Sequence, residues 1–361
     1  MNVQGGAERF AVDLIAVLKD RGYEVHLATF DKVDWSRVEA NMGSCVRPDK
    51  CISVFWRRLP IFGIYQRILM AFAVNRLSKN VDLTINTHSD HRFCHCDIVY
   101  MHGLTPFAKL HLPWWKIPYT LPYHILTWIG AKANAQGNSI FIANSKYTAR
   151  QLLMEHGIKV DYVIYPPVHT ETYRPLASRH ERENTVLTVS RYAREKSLHG
   201  ILEIAKRTRA EISFVVVGQA GNRFEEAIAK ELIAEAHRLN LPITFHTNIS
   251  QDEKREIMSR AKVYLQPGVD SFGVAVCEAV SAGCLPVAVN DGGHMEIIRK
   301  LGPIGRSYRS FDEAAECVEA AVAGWSPALA ELASSQMKRF SIARFADEIT
   351  GVIKRFAAKK K

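Results

Sequence analysis

Short apolar runs alternate with stretches of helical periodicity along almost the whole chain. The runs are continuous and rich in β-branched residues, as expected of parallel strands that are covered on both faces. They lie at 24–30, 82–88, 97–102, 139–144 and 162–165 in the first half, and at 185–190, 212–218, 243–247, 263–266 and 285–289 in the second. Helical stretches fill the gaps, so the pattern predicts an α/β fold of two doubly wound, Rossmann-like domains.

A change in composition predicts where these domains divide. The predicted interdomain linker begins with Tyr165-Pro166-Pro167-Val168 and runs through the polar stretch 177–184. The predicted segments are 1–168, 169–339 and 340–361. Apolar residues recur at helical spacing in the last segment and predict a helix packed on the body of the protein. We expect the two domains to face one another across a cleft, with ligands bound at the carboxyl ends of the strands.

Composition favours a globular, intracellular protein. The 361 residues are 47% hydrophobic and 23% charged, and this length favours two domains over one. No apolar run reaches the roughly 18 residues typical of a membrane-spanning helix, and no secretion signal is evident, so we predict a cytoplasmic location. The seven cysteines form an odd, scattered set that indicates reduced thiols rather than a disulfide framework.

The formal net charge of +10 is concentrated in one region. Residues 51–150 hold 11 Lys and Arg but only 3 Asp and Glu, a local balance of +8. Aromatic residues are interspersed with these cations, a combination that suits an anionic membrane surface. The alternative is amphipathic helices with solvated basic faces. Nucleic acid is not expected, because the sequence contains no recognised nucleic-acid module. The set is Phe55, Trp56, Arg57, Arg58, Trp114, Trp115, Lys116, Tyr119, Tyr123, Trp128 and Lys132.

Two acids separated by seven residues mark the strongest candidate for a binding site. Asp270 and Glu278 bracket Phe272-Gly273 and an apolar run, as expected where a strand end turns into a buried helix. Free N–H groups from Val274 onward, with the positive end of the helix dipole, would bind a diphosphate without a metal. Glu278 would then accept hydrogen bonds from a ribose diol. The alternative is a buried helix with a capping aspartate.

The order of several motifs resembles the retaining family 4 glycosyltransferases of the GT-B fold. The acid pair is one of these motifs, and the family carries Glu where this chain has Asp270. The resemblance implies an acceptor-binding domain over 1–168, a nucleotide-sugar donor domain over 169–339, and a helix over 340–361 that packs back toward the first domain. The motifs are Gly5-Gly6, Asn144-Ser145 with Thr148, Tyr165-Pro166-Pro167-Val168, Ser190-Arg191 with Glu195-Lys196, Val217-Gly218, Asp270 with Glu278, and Gly292-Gly293 with Glu296.

The resemblance also implies roles for individual residues. Arg191 and Lys196 match the basic pair that binds the donor diphosphate, where fixed cations would stabilise the charge that develops on the leaving group. His102 matches a histidine that faces the donor sugar. Asp270 would contact that sugar, which makes it a catalytic candidate together with His102, Arg191 and Lys196. The implied donor-binding set is Gly5, Gly6, Arg191, Lys196, Phe272, Gly273, Val274 and Glu278.

A glycine loop at Gly5-Gly6 would let the main chain approach the donor phosphate, where any Cβ would obstruct it. The family begins with a strand ahead of this loop, and only four residues precede Gly5 here. We therefore expect that the natural start lies upstream of Met1.

A group of imidazoles and thiols at 88–96 resembles a metal site only in composition. Structural zinc sites draw on two separated ligand pairs, and one short segment rarely wraps four ligands around an ion. We therefore expect no metal, and no Asp-x-Asp motif indicates a metal-bound donor phosphate. The residues are His88, His91, Cys94, His95 and Cys96.

Within the family, the chain looks most similar to the mannosyltransferases that extend lipid-linked oligosaccharides. This implies transfer of a hexose, with GDP-mannose as the expected donor, at the cytoplasmic face of the membrane, and no cofactor besides the donor substrate. Two alternatives are open: an enzyme with a UDP-sugar donor and a soluble acceptor, and a nucleotide-sugar binding protein without catalytic activity.

Overall fold

The computed structural model describes residues 5–43, 45–53, 74, 76–88, 96–103, 118, 121–122, 125 and 139–360. The chain divides into an N-terminal unit, Met1–Ile164 with Ala346–Lys361, and a C-terminal unit, Tyr165–Phe345. The division falls four residues before the predicted boundary at 168. The named residues of the basic, aromatic region lie outside the described residues. No described helix combines the length and apolar character that crossing a bilayer requires.

The N-terminal unit contains a parallel sheet and a separate pair of parallel strands. The strands are β1 (His26–Thr29), β2 (Lys50–Ser53), β3 (Ile85–Asn86), β4 (Ile98–Met101), β5 (Ile140–Ala143) and β6 (Tyr162–Val163). Strand β1 pairs with β2, and the other strands follow the order β3-β4-β5-β6. The helices whose bounds fall within the described residues are α1 (Gly6–Asp20), α2 (Trp35–Met42) and α3 (Lys146–His156).

Helix α1 is buried around most of its circumference, as expected of an interior helix. All residues from Phe10 to Ile15 are buried, and so is Val17. The ring of Phe10 stacks on Tyr100 of β4 at a centroid distance of 4.0 Å. All four residues of β4 are buried, because this strand has neighbours on both sides and is covered by packing. This contact fixes the start of α1 relative to the end of β4.

The C-terminal unit is built on a six-stranded parallel sheet in the order β12-β11-β10-β7-β8-β9. The strands are β7 (Glu183–Arg191), β8 (Ser213–Gln219), β9 (Ile243–Thr247), β10 (Ala261–Gln266), β11 (Leu285–Val289) and β12 (Arg306–Tyr308). The helices are α4 (Thr170–Tyr173), α5 (His199–Arg207), α6 (Arg223–Arg238), α7 (Gln251–Arg260), α8 (Val274–Ser281), α9 (Met295–Lys300), α10 (Phe311–Ala323), α11 (Pro327–Gln336) and α12 (Ile342–Lys360). Residues of α12 from Ala346 onward are counted with the N-terminal unit.

Both faces of this sheet are covered. Successive side chains along β7 enter opposite cores, with Leu187 in one cluster and Val186 in the other. Tyr264 and Val263 of β10 divide in the same way. The alternation follows from the two-residue repeat of a strand, and helices cover both faces because both are apolar. The prediction of an α/β, Rossmann-like fold is confirmed.

Two strands were not predicted, and each lies at the edge of its sheet. Strand β2 is mostly exposed and polar, so it has no apolar run to mark it. Strand β12 has three residues, of which only Tyr308 is buried. All ten runs predicted as strands contain a strand, with small differences at the ends. Edge strands give weak hydrophobic signals because solvent contacts one of their sides.

The prediction of a linker over 177–184 is wrong, because this polar stretch is fixed within the C-terminal unit. Arg182 holds it there. Its guanidinium donates hydrogen bonds to four main-chain carbonyls and lies 5.4 Å from the ring centroid of Trp325. Burial lowers the pKa of this guanidinium. The carbonyls belong to Leu176, Met258, Ala261 and Ala282.

Replacing Arg182 with Met should destabilise the protein by about 3 kcal/mol, because buried carbonyls would lose their donors. Arg179→Met is the matched control, since Arg179 is exposed and pairs with Glu256. Urea denaturation followed by tryptophan fluorescence would measure both variants. Equal midpoints for the two variants would show that the interior network contributes little.

Candidate active site

Three neighbouring strands of the C-terminal unit end at one edge of the sheet and carry the residues predicted as a site. Arg191 is the last residue of β7, Asp270 follows β10, and Gly292 and Gly293 follow β11. Strand β10 lies between β7 and β11, and all three run parallel. The carboxyl ends of these strands therefore present their loops together, as expected for ligand sites in doubly wound sheets.

The loop after β11 packs directly against the main chain that carries Asp270. The N–H of Gly293 donates to the carbonyl of Asp270 at 2.7 Å. A Cβ at Gly293 would lie 1.8 Å from the carbonyl oxygen of Ser271, a distance that no side chain can occupy. The tandem glycine motif therefore has a physical role here: it lets two loops meet main chain to main chain and fixes the position of Asp270.

Lys196 and Asp270, both predicted from the sequence, contact one another. Nζ of Lys196 lies 3.0 Å from Oδ2 of Asp270, and their side chains are 20% and 29% exposed. Lys196 ends a short 3₁₀ turn, Arg194–Lys196. A Cβ at Gly268 would lie 2.5 Å from the carbonyl oxygen of Lys196, so this glycine lets the turn approach β10. The pair is partly open to solvent and can exchange partners with a ligand.

Arg191 is held between two carboxylates. One guanidinium nitrogen lies 3.3 Å from Glu195 and another lies 3.2 Å from Glu225. Glu225 is the more buried of these acids, at 13% exposure, and its other oxygen accepts from the N–H of Gly221. Glu225 was not predicted from the sequence, since it lies 34 residues from Arg191 and belongs to no recognised motif.

Helix α8 begins at the predicted position. Its N-cap is Gly273, with φ at 95°, and no side chain caps the first turn. The N–H groups at the start of a helix have no partner within it, so they are available to an anion. Phe272 is buried and its ring packs 5.4 Å from Tyr165 and 5.5 Å from Phe340. Phe272 therefore contributes packing, and only its main chain could contact a donor. Val274 is half-buried against the same core.

Glu278 lies one turn into α8. It is paired with a lysine that was not predicted from the sequence. Its Oε2 is 3.0 Å from Nζ of Lys254, and the two side chains are 17% and 13% exposed. Burial acts to lower the pKa of Lys254, but Glu278 and Tyr173 outweigh this effect and raise it. The spacing in the sequence could have identified this lysine. Lys254 lies three residues before Ile257 and four before Met258, which places it on the apolar face of α7.

His294 lies under the glycine loop and was also not predicted. The residue is fully buried, and its Nε2 lies 2.9 Å from the carbonyl oxygen of Val289. Burial lowers its pKa, so the ring is neutral and Nε2 carries the proton. A Cβ at Gly273 would lie 2.7 Å from Cβ of His294. His294 therefore leaves no room for a side chain at the turn that begins α8.

The remaining predicted residues lie in the N-terminal unit. Gly5 is the N-cap of α1 and Gly6 is its first residue. His102 directly follows β4 and packs edge-on against Phe10, with ring centroids 4.9 Å apart. Burial lowers the pKa of His102 to about 4. Contacts between these residues and a donor stay predictions of the sequence.

No group of three potential metal ligands occurs among the residues that the structure describes. Of the imidazole and thiol group at 88–96, only His88 and Cys96 belong to that part, while His91, Cys94 and His95 lie outside it. The six described cysteines are free thiols.

Comparison with known proteins gives two matching family models. "Glycosyltransferase Family 4" matches residues 4–172, and "Glycosyl transferases group 1" matches residues 170–323. A Xenopus laevis protein named GDP-Man:Man(3)GlcNAc(2)-PP-Dol alpha-1,2-mannosyltransferase is 24% identical over 206 residues, which cover 52% of this chain and 41% of that protein. The chain spans less than half the length of the first three curated relatives it matches.

Two further matches cover more of the chain. The alpha-1,3/1,6-mannosyltransferase ALG2 of Candida glabrata is 24% identical over 357 residues, which cover 81% of this chain and 75% of that protein. The crystal structure of Anabaena HepE in complex with UDP superposes with a TM-score of 0.73 at 16% identity, covering 98% of both chains. At this identity the structural match establishes the fold alone.

His102 should make stability depend on pH. The folded protein holds the ring neutral, whereas the unfolded chain binds a proton below about pH 6.5. Stability from this group is therefore complete above pH 6.5 and is lost progressively as the pH falls toward 4. Melting temperatures between pH 7.5 and 4.5 should fall more steeply for the wild type than for His102→Phe. A His180→Phe control, at an exposed position, should follow the wild type. Parallel curves for the wild type and His102→Phe would contradict the assignment.

Proposed function

Because the chain belongs to the GT-B glycosyltransferases, we propose that it is a retaining enzyme that transfers mannose from GDP-mannose to a lipid-linked or glycan acceptor. One observation carries this proposal: Lys196 and Asp270 contact one another at the carboxyl edge of the sheet. Asp270 lies three residues ahead of Gly273, where a helix without a side-chain cap begins. A cation, a carboxylate and free N–H groups are the elements that a diphosphate-linked sugar requires.

The cations act on the leaving group. As the glycosidic bond breaks, negative charge develops on the departing diphosphate. Lys196 and Arg191 neutralise this charge, and the first N–H groups of α8 donate hydrogen bonds to phosphate oxygens. Such fixed donors stabilise the transition state more than the ground state, because the charge on the bridging oxygen grows as the reaction proceeds.

The carboxylate acts on the sugar. When the diphosphate attracts Lys196, Oδ2 of Asp270 is released from its ion pair and accepts hydrogen bonds from sugar hydroxyls. Asp270 has a shorter side chain than the Glu of the family pattern. Its main chain is held in place by the contact with Gly293, which compensates for the shorter reach of the carboxylate. In this proposal the carboxylate binds hydroxyls of the transferred sugar and does not act as a nucleophile.

The names of relatives support the choice of donor and acceptor. GDP-Man and a dolichol-linked oligosaccharide appear in the names of relatives from Xenopus laevis, Dictyostelium discoideum and Mus musculus. The basic, aromatic region of the sequence supports a peripheral location on the anionic, cytoplasmic face of a membrane, where a lipid-linked acceptor is found.

A UDP-sugar is the second candidate donor. It is favoured by the structural match to Anabaena HepE, which is described in complex with UDP. A UDP-sugar donor would go with a soluble acceptor and would not require a membrane surface.

Replacing Lys196 with Ala should lower turnover at least about 100-fold, because the leaving group would lose a fixed cation. The assay measures transfer of labelled sugar from GDP-mannose, UDP-glucose and UDP-N-acetylglucosamine, each tested separately, into a polyprenyl-linked acceptor extract. Lys206→Ala, which removes a similar but exposed ion pair with Glu203, is the control and should retain activity.

Label in the lipid extract from GDP-mannose alone would support the proposal. Transfer only from a UDP-sugar, and only to a soluble acceptor, would favour the second candidate. Binding of donor without transfer to either acceptor would count against an enzyme and favour a nucleotide-sugar binding protein.

A further inference from the structure

Lys254 is a buried cation in the C-terminal unit that the proposed chemistry does not use. It belongs to α7, and its ammonium lies 3.0 Å from Oε2 of Glu278 on α8. The ammonium also lies 5.5 Å from the centroid of the Tyr173 ring, which is itself buried at the end of α4. Three helices thus surround one charge.

A lysine at this position is costly to the fold. A lysine and a glutamate in a largely buried contact both lose their hydration. The free energy of this desolvation is comparable with the free energy of their attraction. The neighbours of Lys254 on the same helix face, Ile257 and Met258, pack in the apolar core. A leucine or methionine in its place would pack there without loss of hydration. The pair therefore indicates that Lys254 has a role other than stabilising the fold.

The position of Glu278 in α8 indicates what this role is. Glu278 follows the N-cap of α8 by five residues, and the donor diphosphate is proposed to bind at the turn that holds this N-cap. Two anions in one place repel, and an isolated carboxylate there would weaken donor binding. An ammonium in contact with Glu278 balances its charge and reduces this repulsion.

We propose that Lys254 is a positioning residue, which holds Oε2 of Glu278 so that Oε1 accepts hydrogen bonds from the ribose hydroxyls of the donor nucleotide. This inference rests on the proposed function and adds a residue to the same site. The contact with Lys254 restricts Glu278 to one orientation, so the carboxylate does not have to be ordered when the nucleotide binds. The raised pKa of Lys254 means that the ammonium stays charged throughout the neutral range.

A comparison of ribonucleotide and deoxyribonucleotide affinities distinguishes a positioning role of Lys254 from a role in packing alone. Calorimetry would compare GDP with 2′-deoxy-GDP, and UDP with 2′-deoxy-UDP, on the full chain. A hydrogen bond between a hydroxyl and a carboxylate corresponds to a preference of roughly tenfold or more for the ribonucleotide in the wild type. Lys254→Met should reduce this preference to below about threefold, because the loss of affinity should be larger for the ribonucleotide than for the deoxynucleotide. Lys254→Arg, which keeps a charged donor, should restore most of the preference.

Lys206→Met is the matched control, because it removes a lysine–glutamate contact of 2.7 Å on the exposed side of α5. It should keep the full preference. Lys254→Gln, whose amide is uncharged but polar, serves as a second variant if the methionine does not fold, and the same loss of preference is expected. A variant that weakens both nucleotides equally, or keeps the wild-type preference, would overturn the proposal.

Binding of GDP and UDP to the wild-type protein distinguishes failure of the proposed function from failure of the Lys254 proposal. A wild-type protein that binds neither GDP nor UDP would overturn the proposed function, and the role of Lys254 with it. A wild-type protein that binds a nucleotide without a preference for ribose would leave the proposed function standing and overturn only the ribose contact of Glu278.

Discussion

Parallel pairing of β7, β10 and β11 is the constraint on which the C-terminal unit depends. Because β10 lies between the other two strands, the loops that follow all three emerge at one edge. Their side chains meet only because the main chains also meet: the loop with Gly293 lies against Ser271 with no room for a Cβ. This contact determines where Asp270 is held and where α8 begins. The ion pair with Lys196, the uncapped helix and the carboxylate of Glu278 all follow from that placement.

The same edge concentrates charge, and the structure balances it in pairs. Arg191 contacts Glu225, Lys196 contacts Asp270, and Lys254 contacts Glu278. Pairing lowers the free energy of gathering these groups in partly buried positions. In the proposed function, a diphosphate would compete with the carboxylates for their cations, so the pairs also provide contacts that a ligand can replace. The more exposed contacts, those of Arg191 and Lys196, are suited to exchange. The buried contact of Lys254 is suited to hold its partner in place.

Hydrophobic pattern and motif order predicted the ten main strands, the doubly wound architecture and most residues of the candidate site. Patterns worked where the signal is local: a continuous apolar run predicts a buried parallel strand, and a glycine before an apolar stretch predicts a helix start. They failed where burial comes from distant parts of the chain. The edge strands β2 and β12 lack apolar runs. The segment with Arg182 looked like a linker, because nothing in its sequence reveals the carbonyls that surround it.

The sequence by itself determined the fold class and the family. It also determined that Arg191, Lys196 and Asp270 lie close after strands and that Glu278 lies within a helix, since these positions depend on local periodicity and on spacing between neighbouring residues. Only the tertiary structure decided their partners. Glu225 lies 34 residues from Arg191, Asp270 lies 74 from Lys196, and Lys254 lies 24 from Glu278. Such contacts form when parallel strands bring separate loops to one edge, and a carboxylate or an ammonium looks the same in a sequence whether it faces solvent or a buried partner. The physical reason is that charge pairing depends on distance in space, which the order of residues does not encode locally.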